Sequence, residues 1–253
     1  MTHDAKSSHV GSCLSLADIL AVLYGRIVRH DPSNPSWDKR DRVIISKGHA
    51  AAAVYAVLAE VGYFCTDELS SFYHDGSRLA GHVTREGVPG VELSTGALGH
   101  GLAVGAGMAL AGKKLSKEHR VFVVLSDGEL DEGATWESIL FAAHWNLGNL
   151  TAIVDYNHQQ AMGTTHDVLE LDPLDAKWRA FGWDCTVVDG HSIPQLCSVL
   201  GSSRKDNEKP FCVVANTIKG KGVRHMEDNV LWHYRFPREE DIRLAARDLG
   251  CDV

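Results

Sequence analysis

The chain has 253 residues, 44% hydrophobic and 23% charged, enough apolar material for one large core. Its formal net charge is −8 without a block of like charges, which excludes the basic footprint of a nucleic-acid binder and the basic helix of a membrane-surface protein. No apolar run reads as the roughly 18 residues of a spanning helix, and MTHDAKSSHV lacks a signal-peptide core, so the expected setting is cytoplasmic, with no membrane partner.

In chain order, periodicity predicts a helix over 14–28, a strand over 42–46 (RVIIS) and helices over 49–61 and 98–112. A strand over 121–125 (VFVVL), a helix over 130–147 and a strand over 150–155 (LTAIVD) follow. Then come a helix over 173–181, a strand over 185–188 (CTVV), a helix over 193–202, a strand over 211–216 (FCVVAN) and a last helix near 237–249. The strands are short, β-branched and apolar on both faces, the pattern of parallel strands covered by helices. The expected fold is therefore α/β, a doubly wound and mostly parallel sheet with helices on both faces, in a single domain over 1–253. Within 130–147, Trp136, Ile139, Leu140, Ala143 and Leu147 follow the helical period and form its expected core face. Two long loops, 76–94 and 217–232, are of the length that usually carries function. Six cysteines (Cys13, Cys65, Cys185, Cys197, Cys212 and Cys251) lie scattered without a CxxC pair, which reads as reduced, buried thiols.

Two strands end in polar residues: VFVVL runs into Ser126-Asp127-Gly128, and LTAIVD into Tyr156-Asn157. In a doubly wound sheet, ligands sit beyond the carboxyl ends of the strands, so Asp127 and Asn157 are expected to face one crevice. A carboxylate and an amide oxygen converging there are hard ligands suited to Mg²⁺ or Ca²⁺. Mg²⁺ usually completes its octahedron with phosphate oxygens and water, which points to a diphosphate-bearing cofactor. Taken singly, Asp127 could cap a helix beginning near Glu129, and Asn157 could make a turn.

The stretch from Asp127 to Asn157 resembles the thiamine diphosphate motif, which opens with Gly-Asp-Gly and closes about thirty residues later in Asn. The resemblance spans nearly the whole chain and is to the amino-terminal half of transketolase, especially the split transketolases made of two polypeptides. It rests on SSHVGSCLSLADILAVLY, VIISKGHAAAAVYAVLAEVGYF, GHVTREGVPGVELSTGALGHGLAVGAGMALA, SDGELDEGATWESILFAA, VDYNHQQAMGTT and TIKGKGVRHMEDNVLWH. Ser126 stands where the family usually has glycine, and His100 where glutamine is common.

Carried over residue by residue, the resemblance implies Asp127 and Asn157 as side-chain Mg²⁺ ligands and Gln159 as a ligand through its carbonyl. Gly128 and Glu129 fall at the diphosphate, and Gly96 and Leu98 flank the cofactor rings. His49 and His233 hydrogen-bond the diphosphate or the substrate end of the cleft, while His9 and His82 face the reacting carbon and donor hydroxyls. Lys219 and Lys221 are candidates to neutralise phosphate, with solvated loop charge as the alternative. Glu132 is either a first-turn carboxylate complementing the helix dipole or, as in the family, an interface residue linking two active sites. Most of the fourteen histidines read as ordinary surface or loop residues.

The implied activity is ketol transfer from a ketose donor to an aldose acceptor, with sugars or sugar phosphates as substrates. The expected partner is a separate carboxyl-terminal transketolase subunit in an α2β2 heterotetramer, because the family's following domain supplies the glutamate that engages the aminopyrimidine ring. Two alternatives stay open: the α-type subunit of another thiamine enzyme, such as a 2-oxo acid dehydrogenase or decarboxylase, and a catalytically silent binding relative.

Overall fold

Five strands, β1 (Arg42–Ile45), β2 (Val121–Ser126), β3 (Leu150–Tyr156), β4 (Asp184–Asp189) and β5 (Phe211–Asn216), form a wholly parallel sheet in the order β1-β2-β3-β5-β4. This computed structural model describes residues 1–202 and 208–251. Every residue of β2 is buried, as a central strand covered on both faces requires. Its side chains alternate between two cores: Phe122 and Val124 face one layer, and Val121, Val123 and Leu125 the other.

The first layer contains α1 (Val10–Val22), α2 (Ala51–Glu60) and α7 (Ile193–Gly201), packed through residues such as Leu16, Ile19, Tyr55, Leu58 and Leu196. The second contains α3 (Gly101–Lys114), α4 (Gly133–His144) and α6 (Leu174–Ala180), with Leu102, Ile139 and Trp178 fully buried. Helix α3 lies close to the sheet because Gly105 has no side chain, and a Cβ there would come within 2.4 Å of Val123. A short helix, α5 (Thr165–Val168), follows β3, and α8 (Glu239–Leu249) closes the described order.

Three expectations need correction. Leu140 is 55% exposed rather than in the core, because the buried stripe of α4 runs through Thr135, Ser138, Ile139 and Ala142. Of these, Thr135, Ser138 and Ala142 are small and let the helix approach its neighbours closely, which leaves Leu140, Phe141 and Trp145 facing outward. The thiols are free, but only Cys13 and Cys212 are buried; Cys185 and Cys197 are partly covered, and Cys65 and Cys251 are exposed. One helical segment, Val10–Ile27, is long and on average apolar enough to cross a membrane, although Asp18 and Arg26 interrupt it. It comprises α1 and a π-helical turn, Leu23–Ile27, and is apolar because it is packed between α2, α7 and the sheet.

Several boundaries also move, two of them at the site. The stretch expected as one helix from 130 divides into a 3₁₀ turn, Gly128–Asp131, and α4; α3 begins at Gly101 rather than at 98. The residues released at both places border the cleft described next.

Candidate active site

Strands β2 and β3 are direct neighbours with Ser126 opposite Asp155, so the residues following them leave the sheet side by side. Asp127 and Asn157 are 2% and 4% exposed. Asp127 Oδ2 and Asn157 Oδ1 each accept from the Gln159 backbone N–H at 3.2 Å. The second Asp127 oxygen accepts from Gly128 N–H at 2.9 Å. Burial, followed by repulsion from Asp155, pushes the Asp127 carboxyl up to about 7.

Beneath this pair lies an arrangement that sequence reasoning missed. Asp155 is wholly buried in β3, where it pairs with Lys47 and accepts from Ser15 Oγ at 2.7 Å and from Thr217 Oγ1. Burial alone would raise its pKa, but Lys47 and these hydrogen bonds hold it below the usual carboxylate value. Lys47 also donates to Ser12 O at 3.4 Å. The available signal was a lysine directly before Gly48 and an aspartate inside an apolar strand. Their pairing depends on β1 and β3 flanking β2.

A second lysine approaches from the loop after β5. Lys219 Nζ lies 3.1 Å from His233 Nδ1 and 3.5 Å from Gln159 O, and burial lowers its pKa to about 8 while Asp127 acts in the opposite direction. His233 is held down to about 3 by burial and then by Lys219, so Nδ1 accepts and Nε2 carries the proton. His9 packs against three imidazoles, with ring centroids 4.9 Å from His233, 5.3 Å from His49 and 5.9 Å from His82. Burial, then His82, lowers His9 to about 4; burial, then Lys47, lowers His49 well below its usual value. Near neutrality, His9, His49 and His233 offer neutral hydrogen-bonding groups, and the positive charge comes from the two lysines.

These groups border one cleft of about 250 Å³. His9, His49, His82, Gly96, Leu98, Asp127, Gly128, Asn157, Gln159, Lys219 and His233 all line it, together with Ser12, Lys47, Ser126, Gln160 and Ala161. Glu129 does not: its side chain is fully buried behind the cleft, bonded to Ser46 Oγ and to Gly99 N–H. Glu132 is exposed at the start of α4. Lys221 faces Glu227 at 3.9 Å instead of the cleft. His100 is exposed, with Nδ1 3.0 Å from Leu98 O.

The donor set suits a hard divalent cation and an anionic cofactor. It offers one carboxylate, the Asn157 amide oxygen and the Gln159 carbonyl, while Gln159 Oε1 is buried without a partner among the described residues. Among the described residues, no group of three or more His, Cys, Asp or Glu could hold a metal, so a cation here would depend on amide, carbonyl and cofactor oxygens. Lys219 supplies charge complementary to a diphosphate, and Lys47, paired with Asp155, also lines the cleft.

A family model described as "Transketolase, thiamine diphosphate binding domain" matches residues 1–253. The chain is 43% identical over 241 residues to an apulose-4-phosphate transketolase subunit of Actinobacillus succinogenes, a match covering 95% of this chain and 87% of that one. It is 39% identical over 241 residues to the 6-deoxy-6-sulfo-D-fructose transketolase subunit SqwG of a Clostridium species, covering 95% and 88%. A crystal structure of Campylobacter jejuni transketolase matches with a TM-score of 0.92 at 32% identity, covering 98% of this chain and 40% of that chain.

Proposed function

We propose that this chain, which belongs to the family of transketolase thiamine diphosphate binding domains, is the cofactor-binding subunit of a two-component transketolase. It acts in moving a two-carbon ketol unit from a ketose donor to an aldose acceptor. The observation that carries this reading is the convergence of Asp127 and Asn157 oxygens, beside Lys219, at the carboxyl ends of adjacent strands. Asp127, Asn157 and the Gln159 carbonyl would hold Mg²⁺, with Ca²⁺ as a substitute, against the cofactor diphosphate. Lys219, Lys47 and His49 would balance and orient that diphosphate.

When bound, thiamine diphosphate supplies an electron sink for cleaving the bond beside a carbonyl. The chain's own residues bind, orient and manage protons. His233 keeps its proton on Nε2 because Lys219 occupies Nδ1, so it serves as a fixed donor. His9 and His82, whose rings lie 5.9 Å apart in the cleft, are assigned to the substrate hydroxyls. Gly96 and Leu98 form the wall against the cofactor rings.

The need for a second subunit is supported by the surface around the mouth. Met162 and Tyr234 are 81% and 59% exposed, and Tyr234 is tied to the cleft by its hydroxyl, which donates to Ala161 O at 2.6 Å. Elsewhere, toward the carboxyl end of α4 and away from the cleft lining, Leu140, Phe141 and Trp145 expose further apolar surface. Single exposed apolar residues are ordinary, but exposed groups beside an open site suit a subunit contact. The relatives named as subunits are matched over 87–89% of their length, whereas the human transketolase is matched over 37%. An α2β2 assembly, two copies of each subunit, is the arrangement expected from the usual symmetric closure of oligomers.

The test has two stages. Calorimetry of the chain with Mg²⁺ should detect thiamine diphosphate binding, and a ketose-and-aldose panel should yield ketol transfer only after the partner subunit is added. Absence of binding would overturn the cofactor assignment, and full turnover by the chain alone would overturn the two-component assignment.

A further inference from the structure

The loop bearing Gly96 and Leu98 is pinned from behind, not from the cleft. At its start, Thr95 Oγ1 donates to Ile45 O at 2.7 Å. Toward its end, Gly99 N–H donates to Glu129 Oε1 at 2.9 Å, and Gly101 N–H donates to Ser46 Oγ at 3.2 Å. The Ser46 hydroxyl in turn donates to the same Glu129 oxygen. Two of these three anchors therefore close on one carboxyl group.

Glu129 belongs by its backbone to the turn directly after Asp127-Gly128. Thr135 Oγ1 donates to its carbonyl at 3.0 Å, which fastens that turn to α4. The loop has little freedom to find other anchors. Gly99 has φ +83°, and a Cβ there would lie 2.8 Å from that of Glu132; at Gly101 it would lie 2.2 Å from Ser46 Oγ. These contacts leave the loop and the turn joined by hydrogen bonds to an acceptor that water does not reach.

We propose that Glu129 is a positioning residue, a brace that holds loop 95–101 at fixed distance from turn 127–131. The inference rests on the cofactor reading above: the turn holds the diphosphate end, the loop holds the ring end, and the brace sets their spacing. Both walls are then presented in register before the cofactor arrives, which lowers the ordering cost of binding. Glu129 acts without touching the cofactor. What it must supply is an acceptor at the Oε1 position, and an amide oxygen can do this as well as a carboxylate oxygen.

The discriminating experiment compares two ligands, thiamine diphosphate and inorganic pyrophosphate, by calorimetry with Mg²⁺. Glu129→Leu, which fills similar space without an acceptor, should weaken thiamine diphosphate about tenfold, the loss expected for one buried hydrogen bond. Pyrophosphate affinity should change less than about twofold, because that ligand makes no use of loop 95–101, and Glu129→Gln should restore the cofactor to within about threefold of wild type. Ser46→Ala, which cuts the second anchor, should reproduce the selective loss and serves if Glu129→Leu does not fold. Equal losses of both ligands, unchanged cofactor affinity in Glu129→Leu or Ser46→Ala, or failure of Glu129→Gln to rescue would each overturn the brace. Wild-type protein that binds neither ligand would instead overturn the cofactor reading on which the brace rests.

Discussion

Two aspartates, Asp41 and Asp127, are both 2% exposed, yet they sit at opposite ends of the sheet in opposite states. Asp41 precedes β1 at the amino end, where its oxygens accept from Arg29 N–H at 3.0 Å and Arg120 N–H at 2.9 Å. The guanidinium of Arg120 adds bonds at 2.8 and 3.2 Å, and that of Arg29 one at 3.3 Å. Asp127 follows β2 at the carboxyl end and, among the described residues, accepts only from backbone N–H groups, with no cation paired to it. The difference separates a carboxylate whose bonding capacity is used by the fold from one with capacity left for a ligand. Burial alone does not tell them apart; the partners do.

The largest expected effect lies at the amino end. Asp41→Ala strands two backbone N–H groups and two arginines, and should cost about 3 kcal/mol of stability, less than a fully buried pair because both arginines are partly hydrated. For a chain of this size that corresponds to roughly 6–12 °C in Tm. Thermal and urea denaturation would check it, and a variant that melts with wild type would remove the distinction between the two ends.

Asp127→Ala should act on binding instead. Thiamine diphosphate affinity with Mg²⁺ should fall at least ~100-fold, since even partners behind a metal ligand are worth 10–100-fold. In wild-type protein, cofactor and Mg²⁺ at about 100 times Kd should add ~2.7 kcal/mol of stability, and a chelator should abolish that gain. Asp41→Ala should keep the increment, and Asp127→Ala should lose it. Equal increments in all three proteins would refute Asp127 as the ligand.

The smallest effect concerns acid. His9 and His233 titrate near 4 and near 3 in the folded chain, below the ordinary 6.5. Between those values and 6.5 the unfolded chain binds protons that the folded chain refuses, so stability rises with pH across this window and is lost on acidification. Water reaches the His9 ring in part, so its contribution is about 1 kcal/mol after discounting for solvent. His9→Gln should flatten the ligand-free stability profile between pH 6.5 and 4 by about this amount. An unchanged slope would mean that the His9 imidazole does not stay neutral across this window.

How far the sequence revealed these features depended on whether a feature is periodic or relational. Strand β5 was readable at its observed bounds, 211–216, because an apolar β-branched run between polar segments needs no tertiary information. Asp127 and Asn157 were readable because polar residues at the ends of buried strands break that local pattern. Periodicity gave α4 a stripe but not its phase: Leu140 faces outward because the small side chains of Thr135, Ser138 and Ala142 set the direction of close packing. The pairing of Lys47 with Asp155 requires the order β1-β2-β3, and Glu129 requires the path of a loop 30 residues away. No single-chain periodicity contains either relation.

The segments around His9 and His233 meet directly, with His9 N–H donating to His233 O at 3.2 Å, and Gly220 N–H donates to Gly11 O at 3.0 Å nearby. During synthesis, residue 9 emerges from the ribosome on the order of tens of seconds before residue 233. All five strands, ending at Asn216, are made before Lys219 and His233 emerge. The nascent chain can thus hold a complete sheet and an incomplete cleft at once. Completion of the cleft waits for the segment after β5, and His9 is made long before the His233 it packs against.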